Sequence, residues 1–266
     1  MIPNRIQVLS LDLDLAAPRR GEHMWEVRSR VATELIQLRK PGLLLTQEGN
    51  KDTLEALAAG LPDYYLVQEQ REWIAGIQYP TIWFRKDMFE FEDAKDVWLS
   101  ETPRVRGSSS WGASAPQILT LAQLNRKDVS GGLLVGSTQL DAQVDRARLE
   151  AAAVLVSQVA KFNGDELPVI LAGSFHERPD ETVYRLLTGR RTHKGLTGSF
   201  RDAHRLARRS EAGMSTWHGY VNRDGGRMDW ILVEGALEAQ ESYVLGPGTA
   251  GQGVSDHYPV AAEFLL

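Results

Sequence analysis

The chain has 266 residues, 42% of them apolar, no cysteine, and 30 basic against 35 acidic side chains, a formal net charge of −5. That apolar content suffices for one large core and one domain over residues 1–266, and the missing cysteines exclude disulfides, thiolate nucleophiles and cysteine-ligated zinc. The acidic balance speaks against a non-specific nucleic-acid binder, which needs clustered Lys and Arg to displace counterions from phosphates.

Residues 6–15 alternate apolar and polar side chains, the period of a half-buried strand, with Asp12 and Asp14 on one side. Val27, Val31, Leu35 and Leu38 then recur at helical spacing within 23–39, one stripe to lay on a sheet. A short apolar strand over 43–48 ends in Gln47-Glu48, and a helix is expected at 52–59. Further strands are read at 64–67, 81–85, 89–99, 118–124, 133–139, 169–172, 228–233, 242–245 and 258–264, and helices at 143–161, 181–187 and 202–209. Residues 107–116, rich in Gly, Ser and Ala, read as a loop rimming a pocket, with Trp111 the aromatic best placed for a ligand contact. The basic runs at 190–194 and 205–209 read as a solvated loop and a helix face. No start resembling a signal peptide and no apolar run of membrane-span length lead to the expectation of a soluble cytoplasmic protein. Strands in both halves with helices inserted between them, and no break in composition, predict an α/β (α+β) fold: a four-layer sandwich of two packed mixed β-sheets flanked by helices.

Several short segments occur in an order that carries more weight than any one of them. They are Gln47-Glu48 after an apolar strand, residues 79–87 and 98–103, Ser137-Thr138-Gln139-Leu140-Asp141 before a helix containing Arg148, Gly173-Ser174-Phe175-His176 before Arg178-Pro179, Arg227-Met228-Asp229, and Ser255-Asp256-His257. Together they resemble the endonuclease/exonuclease/phosphatase superfamily, the metal-dependent phosphoesterases that include deoxyribonuclease I. The resemblance implies the deoxyribonuclease I-like fold and a cleft in which Glu48 is the principal ligand of magnesium or manganese, hard cations that prefer carboxylate oxygen.

The same resemblance exposes departures. Relatives carry Asn where Asp12 stands, which here adds a cation ligand beside Glu48 and Asp256. Arg is usual where Gln117 stands, and His where Gln139 stands; a Gln can donate a hydrogen bond but shuttles no proton near neutral pH. A polar strand end with no role is an equal reading of Gln139. The Asp that readies the attacking water is Ser174, and the Asn that holds phosphate is His176. Asp229, and His257 whose tautomer it would fix, are retained. Losing a general base removes a rate factor of about 10² to 10⁴, so ordinary phosphoester hydrolysis is expected to be impaired.

Three functions follow. The first is a repurposed enzyme acting on a small molecule, phosphorylated or not, by acid–base chemistry of His257, Asp229, His176, Ser174 and Gln139, with Gln117, Asp141 and Trp111 touching the substrate. The second is a magnesium-dependent phosphoesterase, a phosphatase rather than a nuclease. The third is an inactive binding pseudoenzyme, ranked last because decay should not leave hydrogen-bonding residues at every altered position. The loops at Arg19-Arg20, 107–116, 190–194 and 246–253 carry no transferable code for a substrate.

Overall fold

The structure, a computed structural model, describes residues 5–15, 20–128, 130–164, 166–210, 215–221, 225–249, 251 and 253–265. Arg19 and parts of the 246–253 loop therefore lie outside the described residues.

Two mixed sheets pack face to face. One holds β1 (Arg5–Asp12), β2 (Leu43–Gly49), β3 (Tyr64–Leu66), β4 (Tyr79–Arg85), β10 (Arg209–Ser210), β12 (Glu238–Val244) and β13 (Val260–Leu265), in the order β10-β12-β13-β1-β2-β4-β3. The other holds β5 (Phe89–Trp98), β6 (Ile118–Arg126), β7 (Gly132–Gln139), β8 (Val169–Ser174), β9 (Arg201–Asp202) and β11 (Asp229–Glu234), in the order β5-β6-β7-β8-β11-β9. Helices α1 (Trp25–Arg39) and α2 (Lys51–Ala59) cover the outer face of the first sheet, while α3 (Asp145–Phe162) and α4 (Thr182–Leu187) cover that of the second. This is the predicted four-layer, deoxyribonuclease I-like sandwich.

The side-chain period of two explains both the packing and the site. Ile6 and Val8 of β1, Leu43 and Leu45 of β2, Leu133 and Val135 of β7, Ile170 and Ala172 of β8, and Ile231 and Val233 of β11 all enter the core between the sheets. The residues that alternate with them, Leu9, Leu11 and Leu44, pack under α1 and α2, and Leu134, Leu171, Trp230 and Leu232 under α3 and α4. Continuing each inward row along its strand leads to Asp12, Gln47, Gln139, Ser174 and Asp229, so the polar site extends the inter-sheet core beyond its apolar end. Register brings these ends together: Asp12 pairs with Gln47 across parallel β1 and β2, Gln139 with Ser174 across parallel β7 and β8, and Ser174 with Asp229 across antiparallel β8 and β11. Gly173 permits this closeness, since a Cβ there would lie 1.9 Å from the Thr138 carbonyl oxygen.

Strand 6–15 stops at Asp12 because Asp14 takes a left-handed backbone, φ 49°. The helix expected over 202–209 shrinks to α5 (Ala203–Leu206), with Asp202 accepting from His204 N at 3.0 Å as its cap. Beyond it the chain is drawn into parallel pairing with β12 at Arg209–Ser210, which ends the helical run. Among the described residues no helix is long and apolar enough to cross a membrane.

Candidate active site

Glu48 breaks the alternation that sets Asp12, Gln47, Gln139, Ser174 and Asp229. Leu45 and Gln47 face inward, so strict alternation would turn Glu48 toward the helices. Its φ is 63°, and the β2–β4 register shifts between Thr46 and Gly49, a bulge that re-aims the carboxylate into the cleft. His176 at φ 49° and Asp14 at 49° are likewise left-handed, a conformation costing about 1–3 kcal/mol per residue that concentrates at functional sites.

The side-chain amide of Gln139 sits at the hub. Its Nε2 donates to Glu48 Oε1 at 2.7 Å and to Asp12 Oδ2 at 3.2 Å, and lies 3.4 Å from His176 Nε2. Ser174 Oγ approaches the same His176 nitrogen at 3.5 Å. The two amide hydrogens point at Glu48 and Asp12, so the contact at 3.4 Å does not set which nitrogen of His176 carries its hydrogen. His257 Nδ1 meets Asp229 Oδ2 at 2.8 Å, and the His176 and His257 rings stand edge to face with centroids 5.7 Å apart. Thr216 Oγ1 accepts from Asp229 N at 3.1 Å, a support that the sequence reading missed because residues 210–221 show neither period nor motif.

Burial and charge set these groups in opposite states. For His257, burial works against the proton, but Asp229, Asp12 and Asp256 outweigh it and raise the imidazole to about 10. His176 is pushed down to about 4, first by burial and then by the neighbouring His257 charge. Burial would raise Asp229, yet the His257 charge and the bonds from His257 and Thr216 hold it below its ordinary value. Asp12 is raised well above the carboxylate range by burial and then by Glu48. At neutral pH the site therefore holds an imidazolium clamped to a carboxylate and, facing it, a neutral imidazole.

A cleft of about 350 Å³ opens on this hub, lined by Glu48, Gln78, Gln117, Gln139, Asp141 and His176 among others. No Lys or Arg is among the described residues that line it. Gln117 Oε1 accepts from Asp141 N at 2.8 Å, and the Asp141 carboxylate is engaged by Ser114 and by the Gln143 and Val144 amides that open α3. Trp111 does not line the cleft: its indole Nε1 donates to Glu101 Oε1 at 3.1 Å and its ring packs against the core beneath α3.

The divalent cation implied by the resemblance does not fit the residues as they are arranged. Both Asp12 oxygens accept N–H groups, from Asp14 N at 2.8 Å and from Gln139, and so do both Glu48 oxygens, from Leu15 N at 2.7 Å and from Gln139. Among the described residues no three His, Asp or Glu side chains gather as ligands, so Asp256 does not complete a cation site with Asp12 and Glu48. The Gln139 amide bridges the two acids instead.

The family profile for Endonuclease/Exonuclease/phosphatase proteins matches residues 23–257. The chain belongs to that family. Its fold is similar to an endonuclease/exonuclease/phosphatase from Bacteroides vulgatus, 22% identical with a TM-score of 0.86 over 98% of this chain and 99% of that one. It is also similar to the mannosyl-6-phosphatase of Bacteroides thetaiotaomicron VPI-5482, 23% identical, TM-score 0.83, over 98% and 100% of the two chains. The human Nocturnin catalytic domain with bound sulfate follows at 21% identity and a TM-score of 0.74, over 98% and 93%. No curated protein matches the chain in sequence.

Proposed function

We propose that this family member is a repurposed enzyme that moves protons on a small, uncharged polar molecule, with His176 as base and His257, steadied by Asp229, as acid. The observation that carries this reading is the facing pair of imidazoles, 5.7 Å apart, one clamped by a carboxylate at 2.8 Å and the other held neutral by burial. Gln139 orients His176 and holds the two acids apart, and Ser174 supplies a hydroxyl where the family's water-activating acid would stand. The lining favours an uncharged substrate. A phosphate dianion would meet Glu48 and Asp141 with no Lys or Arg among the described residues of the cleft wall, whereas the amides of Gln78 and Gln117 offer polar groups suited to hydroxyl and carbonyl groups.

The competing reading, a magnesium- or manganese-dependent phosphatase, draws on family membership and on the mannosyl-6-phosphatase of similar fold. It lacks an acid at position 174. Incubation in D₂O with a panel of hydroxyaldehydes and hydroxyketones, followed by NMR, separates the two. Exchange of the proton beside the carbonyl, lost in His176→Phe, is the expected result; release of phosphate from generic phosphoesters with no such exchange would overturn it.

The protonation states also fix the pH profile. The competent form needs His176 neutral, above about 4, and His257 charged, below about 10, so the rate should stay level between those limits. A narrow optimum close to the ordinary imidazole value of about 6.5 would contradict the assignment.

A further inference from the structure

Two consecutive peptide groups just past the end of β1 are held from both sides. The one joining Leu13 to Asp14 gives its N–H to Asp12 Oδ1 at 2.8 Å, and the next, joining Asp14 to Leu15, gives its N–H to Glu48 Oε2 at 2.7 Å. A trans peptide points its carbonyl the opposite way, and both carbonyls end on one guanidinium. Arg28 Nη1 donates to Leu13 O at 2.7 Å, and Arg28 Nη2 to Asp14 O at 2.9 Å. A positive charge, two peptide dipoles and two carboxylates therefore stand in series, and hydrogen bonds joined in such a chain polarise and strengthen one another.

The same guanidinium reaches two further segments. Its Nη1 also donates to Val254 O at 2.8 Å, the carbonyl that leads into Ser255-Asp256-His257, and its Nε to His23 O at 2.7 Å, ahead of α1. Arg28 is only 1% exposed, and a charge buried so deeply is tolerated when its donors are met. It lies 3.8 Å from the Asp14 carboxylate, which accepts from Tyr220 Oη at 2.7 Å. The left-handed backbone of Asp14, φ 49°, persists only where its surroundings over-determine it, and this clamp does so.

We propose that Arg28 is a positioning residue for the acid–base site: by gripping the carbonyls of Leu13 and Asp14 it aims the Asp14 and Leu15 amides at Asp12 and Glu48, and so fixes the two acids that the Gln139 amide bridges. Its meaning for catalysis rests on the proton-moving reading, whereas the placement of the acids does not.

The test is Arg28→Lys, which keeps the charge but lacks the planar fork, followed by ¹H–¹⁵N NMR at neutral pH. The variant should keep slow hydrogen exchange at the core amides of Leu44 and Leu171. The Asp14 and Leu15 amides should exchange about 10- to 100-fold faster, the worth of one hydrogen bond to a charged group. The two side-chain amide protons of Gln139, bonded to Glu48 and Asp12, should change shift. A residue that merely ties α1 to its neighbours would lower stability and leave the Gln139 signals in place, and that result would overturn the proposal. If Arg28→Lys fails to fold, the wild type decides: Asp14 and Leu15, although past the last residue of β1, should exchange as slowly as Leu9 in its middle, and exchange at the rate of exposed loop amides would equally overturn it. Failure of the proposed reaction shows in the D₂O assay alone, so the two failures are told apart.

Discussion

A chain carrying Ser174→Asp, His176→Asn and Gln139→His together is expected to hydrolyse para-nitrophenyl phosphate with magnesium about 10² to 10⁴ times faster than the natural sequence, the usual worth of a positioned general base. The backbone already holds these positions together: Gln139 pairs with Ser174 across β7 and β8, and Ser174 with Asp229 across β8 and β11. Removing the Gln139 amide also removes the bridge between Asp12 and Glu48, leaving two carboxylates whose repulsion a cation relieves. Calorimetric titration should therefore show magnesium binding in the restored chain and much weaker binding in the natural one. A folded but silent restored variant would mean that the site differs from its relatives in more than these three side chains.

Asp229→Asn should have the largest effect on stability. The His257–Asp229 pair is 2.8 Å long, with side chains 6% and 5% exposed, and breaking one side of a buried charge pair costs about 3–5 kcal/mol. The pH dependence gives the sign. His257 is raised to about 10 in the folded protein, against about 6.5 unfolded, so its contribution is complete below about 6.5 and disappears as pH rises through about 10. Urea unfolding should find wild type and variant far apart at neutral pH and converging at high pH. A loss below about 1 kcal/mol, or a gap that ignores pH, would assign the pair no such role.

Much of this site was legible in the sequence because it follows the period of a strand. Asp12, Gln139, Ser174 and Asp229 each continue an inward-facing apolar row, and the order of the motifs brought them to one place. Glu48 was found by resemblance alone; its alternation points outward, and only the bulge at Thr46–Gly49 with a left-handed backbone turns it in. Trp111 was expected to touch the substrate, but a loop of small residues has no period to say which way an indole faces, and it bonds to Glu101. Thr216 escaped notice for the same reason. The expected cation cluster is the most instructive difference: the resemblance implied acids at the right places, but not that the amide of Gln139, 127 residues from Asp12 and on the opposite sheet, would lie between them.

The claim on which the proposed chemistry rests is that His176 and His257 hold opposite charge states in one site. ¹⁵N-edited NMR of the imidazoles at neutral pH measures this directly. His257 should carry protons on both nitrogens and keep them until pH approaches about 10, while His176 stays neutral down to about 4. Two rings titrating together close to about 6.5 would contradict it.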